Sequence, residues 1–113
     1  MAIVYKILAE AVWNDAVAKG VFSGATIDLT DGFIHLSTAS QAPVTASLFF
    51  KNGDDLLLVG FDDQQLKNLK YEPSRDGQLF PHVYGSIDAN LATSVFELKR
   101  QADGSLKFPD GFQ

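Results

Sequence analysis

The run Leu56-Leu57-Leu58-Val59-Gly60-Phe61 carries no polar side chain. Side chains in a strand alternate between faces, so an unbroken apolar run reads as a strand buried on both. A sheet built around such a strand needs cover on each side, and the helix signals that could supply it are few. Glu10–Lys19 is rich in helix formers, places Val12, Trp13, Ala16 and Val17 on one stripe, and meets a stop at Gly20. The hydroxyl run Ser37-Thr38-Ala39-Ser40 precedes a second helix over residues 41–50, with Ser40 as the expected cap and Pro43 in the first turn. Asn52-Gly53-Asp54 ends it.

The other apolar runs read as strands: Ile3–Leu8, residues 33–36, 69–72 and 79–84, and Ala92–Arg100. Asp76-Gly77 and Ala102-Asp103-Gly104 supply turns, Asp62 caps a short helical turn, and residues 87–91 form another. Residues 21–31 show no period and read as a loop. Two helices do not cover both faces of a large sheet. The expected fold is therefore α+β: a twisted, mainly antiparallel split sheet with two main helices, bent around a cleft. One domain is expected over residues 1–108, with a mobile tail at 109–113.

The 113 residues are 46% hydrophobic, enough for one packed core. Nine basic against fourteen acidic residues give a net charge of -5, and Arg75 and Arg100 are the only arginines. That balance speaks against general nucleic-acid binding, which draws on clustered Lys and Arg. Without cysteine, thiolate chemistry and disulfides are excluded. The start of the chain reads as neither secretory signal nor membrane span, so a cytoplasmic protein is expected.

The two histidines stand in separate motif runs, Asp31-Gly32-Phe33-Ile34-His35-Leu36-Ser37 and Phe80-Pro81-His82-Val83-Tyr84-Gly85. Strand alternation puts Phe33, His35 and Ser37 on one face, and Phe80, His82 and Tyr84 on one face of the other run. If these strands are neighbours, both imidazoles line one cleft. Histidine changes charge near neutrality, so His35 and His82 are the candidate acid–base pair. Ser37, Gln41, Phe80, Tyr84 and Gly85 are the candidate ligand-binding residues. Each also has a plainer role open: Ser37 as a cap, Gln41 in a capping arrangement, Phe80 as core, Tyr84 as an anchor and Gly85 as a strand breaker. Asp31 either makes a turn or folds back to orient His35. Two histidines lack a third protein ligand at metal-site spacing, and no Gly-x-Ser-x-Gly elbow or dinucleotide fingerprint occurs.

Trp13, Gly20, the His35 motif through Thr38 with Gln41, and the His82 motif together resemble the uncharacterised bacterial family called domain of unknown function 952, from Ile3 to about Leu98. The resemblance implies an ADP-ribosyltransferase-like fold. The His-Leu-Ser strand, following helix and next strand are similar to those of the RNA 2'-phosphotransferases. By that resemblance the cleft is a degenerate or modified NAD site, NAD or an ADP-ribose-like nucleotide is the expected ligand, and an ADP-ribosyl- or phosphotransferase-like activity is the enzymatic reading. The chain departs from those enzymes in its first strand, which offers Tyr5 and Lys6 where they place a histidine, and in its few arginines. Glu72 and Glu97 are the candidates for a catalytic glutamate. A binding or regulatory module that lost the chemistry is the alternative, and a hydrolase using both histidines is a third.

Overall fold

The computed structural model describes residues 2–50, 53 and 55–110. Among the described residues ten strands and three α-helices form an α+β fold: β1 (Ile3–Leu8), α1 (Glu10–Lys19), β2 (Val21–Phe22), α2 (Thr26–Asp31), β3 (Ile34–His35), β4 (Ser37–Thr38), α3 (Ala42–Phe49), β5 (Leu56–Asp62), β6 (Leu69–Pro73), β7 (Leu79–Val83), β8 (Ile87–Asp88), β9 (Ala92–Arg100) and β10 (Leu106–Lys107). The strands form a five-stranded sheet in the order β10-β9-β5-β1-β4, a three-stranded sheet β3-β7-β6 and a two-stranded ladder β2-β8. Every pairing is antiparallel.

The apolar run lies where its composition demands, as β5 between β1 and β9. Leu57, Val59 and Phe61 face one core with Val4, Leu8, Trp13 and Phe22. Leu58 faces the other with Tyr5, Ile7, Ala42, Ala46 and Leu98. Thus α1 covers one face and α3 the other. The inner face of the three-stranded sheet joins the α1 core through Ile34 and Val83.

Four expectations are corrected. Residues 21–31 are not one loop, because they hold β2 and the short helix α2. Only Trp13 and Ala16 of the α1 stripe are buried; Val12 and Val17 face outward. Ser40 does not cap α3: the helix starts after Gln41, with Pro43 in its first turn as expected. Residues 87–91 divide into β8 and a 3-10 turn at Ala89–Leu91. Asn52, Asp54 and the tail residues 111–113 lie outside the described residues.

One local device builds the site. The expected strand over residues 33–36 continues through Leu36 and changes sheets: β3 pairs with β7, whereas β4 pairs with β1. Leu36 bridges them, its N–H donating to the Pro81 carbonyl at 3.0 Å. Two residues apart on one face, His35 and Ser37 therefore belong to different sheets, and a hollow opens where the sheets part.

Candidate functional site

The antiparallel register sets His35 directly opposite His82. Opposed residues share a face, and the two ring centroids stand 5.6 Å apart. Phe33 lies against both, at 4.6 Å from His35 and 4.3 Å from His82. Both imidazoles line a cleft of about 520 Å³, within the usual size for small-molecule sites. Ser37 and Phe80 also line it, with Tyr5, Lys6 and Ile7 of β1. Thr45 and Phe49 of α3 and Ile27 and Asp31 of α2 stand in its other walls.

Each histidine has its own carboxylate. Asp28, the third residue of α2, is almost fully buried at 2% exposure. Its Oδ1 accepts from the His35 backbone N–H at 3.0 Å and from His35 Nδ1 at 2.6 Å. Its Oδ2 accepts from the Ala25 N–H at 2.8 Å, which also ties down the start of α2. Lys6 Nζ reaches Asp28 Oδ2 at 2.8 Å and donates to the His35 carbonyl at 3.0 Å. On the outer side His35 Nε2 meets Asp31 Oδ2 at 2.9 Å. Gly32, at φ 87°, turns the chain so that Asp31 and His35 meet across the end of α2. The result is a chain of contacts, Lys6–Asp28–His35–Asp31. An ionised carboxylate only accepts, so both His35 contacts are hydrogen bonds together only when both ring nitrogens carry protons.

Burial pulls the Lys6 ammonium below its ordinary range, against the attraction of Asp28. For Asp28, burial alone works upward. The Lys6 charge and hydrogen bond, with the donors from Ala25 and His35, outweigh it and hold the carboxyl below the usual carboxylate range.

His82 is wired differently. Its Nδ1 meets Glu72 Oε1 at 2.8 Å, and the Tyr84 hydroxyl donates to the same oxygen at 2.6 Å. The Tyr84 bond first, then His82, hold Glu72 below the usual range, and the same bond to Glu72 raises Tyr84. Among the described residues His82 Nε2 has no hydrogen-bond partner, yet no buried side-chain nitrogen or oxygen is left unsatisfied. That nitrogen therefore keeps some exposure, and the residue that carries it lines the cleft.

Of the sequence candidates, His35, His82, Ser37 and Phe80 come together in the cleft. Ser37 Oγ is paired with Thr45 Oγ1 at 3.2 Å. Gln41 is placed elsewhere: its Oε1 accepts from the Thr38 N–H at 3.0 Å and its Nε2 donates to the Leu79 carbonyl at 2.9 Å, tying the start of α3 to β7. Tyr84 acts on Glu72 from an exposed position just after β7. Gly85 lines a smaller hollow of about 250 Å³ with Gly32 and Phe33. Glu72 joins the site through His82, whereas Glu97 pairs with Lys99 at 3.1 Å on β9. Sequence reasoning missed Asp28, one of two acids in the short helix α2; nothing in the spacing of residues 26–31 marks it as the buried one. The Arg75 side chain lies outside the described residues. Among the described residues no cluster of three or more His, Asp or Glu is arranged to hold a metal ion, and no helix is long and apolar enough to cross a membrane.

The crystal structure of protein CC0527 from Caulobacter crescentus is similar, at TM-score 0.88 and 40% identity over 93% of each chain. Its solution NMR structure matches at TM-score 0.82 and 42% identity, covering 93% of this chain and 91% of that one. Both were structural-genomics targets. No curated protein matches the chain. Residues 7–95, the stretch that carries both histidine motifs and the whole cleft wall from Ile7 onward, match the family described as "Protein of unknown function (DUF952)", and the chain belongs to that family.

Proposed function

We propose that the protein is an enzyme of ADP-ribosyltransferase-like architecture that binds a nucleotide related to NAD or ADP-ribose in this cleft and moves a proton with His82. One observation carries the reading. Two histidines 47 positions apart are paired across one ladder, both line one cleft, and the less exposed one has a ring nitrogen without a hydrogen-bond partner among the described residues. The split antiparallel sheet, with the His35-Leu36-Ser37 run leading into α3 and then β5, supports the architecture. Phe80 and Ile27 offer apolar walls to a flat ring, and Asp31 an acceptor at the mouth.

Isothermal titration of the wild-type protein with NAD and ADP-ribose tests the ligand. Saturable heat with either is expected; no heat with both removes the nucleotide reading.

A second reading, a binding module without chemistry, draws on the commitment of His35 and Lys6 to carboxylates. Turnover assays separate the two. Turnover lost in His82→Ala, with the ligand still bound, sinks the module; binding with no turnover in wild type sinks the enzyme.

A further inference from the structure

We propose that Glu72 is a positioning residue that holds His82 as a general base, with its proton on Nδ1 and the Nε2 lone pair left for the cleft. The inference deepens the reading of the cleft as an enzyme site and rests on it. It begins with register. Lys70 lies opposite His82 and Glu72 opposite Phe80, so Glu72 is the diagonal neighbour of His82 on the same face of the sheet. Strand geometry thus delivers the carboxylate to Nδ1, at 2.8 Å. An ionised carboxylate offers no hydrogen, so the proton in that bond belongs to Nδ1. A neutral imidazole has one such proton, and Nε2 is left with its lone pair.

Two features hold this arrangement. The Tyr84 hydroxyl donates to the same Glu72 oxygen at 2.6 Å, and fixes the carboxylate from the other side. Phe33 lies against the imidazole face, 4.3 Å between centroids and tilted by 30°, which restrains rotation of the ring. The titratable groups that face the pair are Lys70, whose Nζ stands 5.4 Å from the Tyr84 ring centroid, and His35, edge-on at 5.6 Å. His35 offers no equivalent lone pair, because carboxylate oxygens meet both its nitrogens.

The chemistry that suits an exposed Nε2 is proton removal from oxygen. The substrate is then a molecule whose own hydroxyl, or a water bound beside it, becomes the nucleophile. In that step the O–H bond breaks and its proton forms an N–H bond at Nε2. The oxygen electron pair forms the new bond to an electrophilic carbon or phosphorus, and the leaving group departs with its bonding pair and recovers the proton from Nε2. The positive charge carried meanwhile by the ring is offset by Glu72, a role that needs a carboxylate in place.

Long-range proton–nitrogen NMR spectra of the ligand-free full chain read the tautomer directly. The expected result is a His82 ring protonated at Nδ1, with Nε2 in the unprotonated range. Glu72→Ala moves the proton to Nε2, the site that free imidazole side chains favour, while Tyr84→Phe leaves it on Nδ1. Wild-type His82 with its proton on Nε2 overturns the proposal, as does a Glu72→Ala spectrum that matches wild type. Should Glu72→Ala fail to fold, the wild-type spectrum still decides. The nucleotide reading fails separately: an absence of titration heat leaves the tautomer untouched, and binding by a protein with an Nε2–H tautomer sinks only the base assignment.

Discussion

His35 and His82 face each other in one ladder, yet their surroundings give them opposite work. The His35 side chain is 31% exposed and fully engaged, by Asp28 on one nitrogen and Asp31 on the other. The His82 side chain is 6% exposed and keeps Nε2 uncommitted. Exposure is thus a poor guide to which imidazole can react. What separates them is the number of carboxylates within reach. His35 is tied to the buried Lys6–Asp28 pair that holds α2 against β1, while His82 has one carboxylate that orients it and one nitrogen left over.

The largest effect expected from this contrast is on the His35 side. Asp28→Ala leaves the Lys6 ammonium buried without its counter-ion, and loss of one partner of a buried pair costs about 3–5 kcal/mol. Denaturant unfolding should show that loss; a change below about 1 kcal/mol would mean that the pair behaves like a surface contact. Next comes Gly24→Ala. Gly24 sits at φ 115°, and an added Cβ would stand 2.9 Å from the Asp28 Cβ. Strain of about 1–3 kcal/mol is expected, with His35 resonances shifted and those of His82 unmoved. Equal shifts in both rings would dissolve the distinction between the two.

Acid should act through the same side. The Asp28 carboxyl is held below its unfolded value, so its contribution is complete above about pH 4 and disappears as pH falls through the lower folded value. Wild type should therefore lose stability on acidification below about pH 4 more steeply than Asp28→Asn. Parallel curves would place the acid sensitivity elsewhere. The smallest effect belongs to the His82 side: Tyr84→Phe removes a bond at an exposed position. Its unfolding midpoint should match wild type, and a large drop would make Tyr84 a structural anchor instead.

Much of the frame was legible because it depends on local pattern. The apolar run gave β5, alternation put each histidine on the aromatic face of its strand, and the Asp76-Gly77 turn brought β6 beside β7. The network around His35 was not legible, and α2 explains why. Its apolar residues Ile27 and Leu29 are 60% and 68% exposed, while its buried residue is the acid Asp28. That inverts the usual rule. It is compensated by Lys6, 22 positions away, and His35, 7 positions away, beside the local Ala25 N–H. Long-range compensation leaves no periodicity to read. The Glu72–His82 pair was only partly visible for the same reason: Glu72 stood out as an acid, but its place beside His82 follows from the hairpin register, not from spacing.

The most direct test is a titration of the wild-type protein with ADP-ribose and with NAD, followed by NMR at the ring nitrogens of both histidines. The expected result is a saturable shift at His82 Nε2, with His35 little changed behind its two carboxylates. A response at His35 alone, or at neither ring up to saturating ligand, would contradict the assignment of His82 as the working group of a nucleotide site.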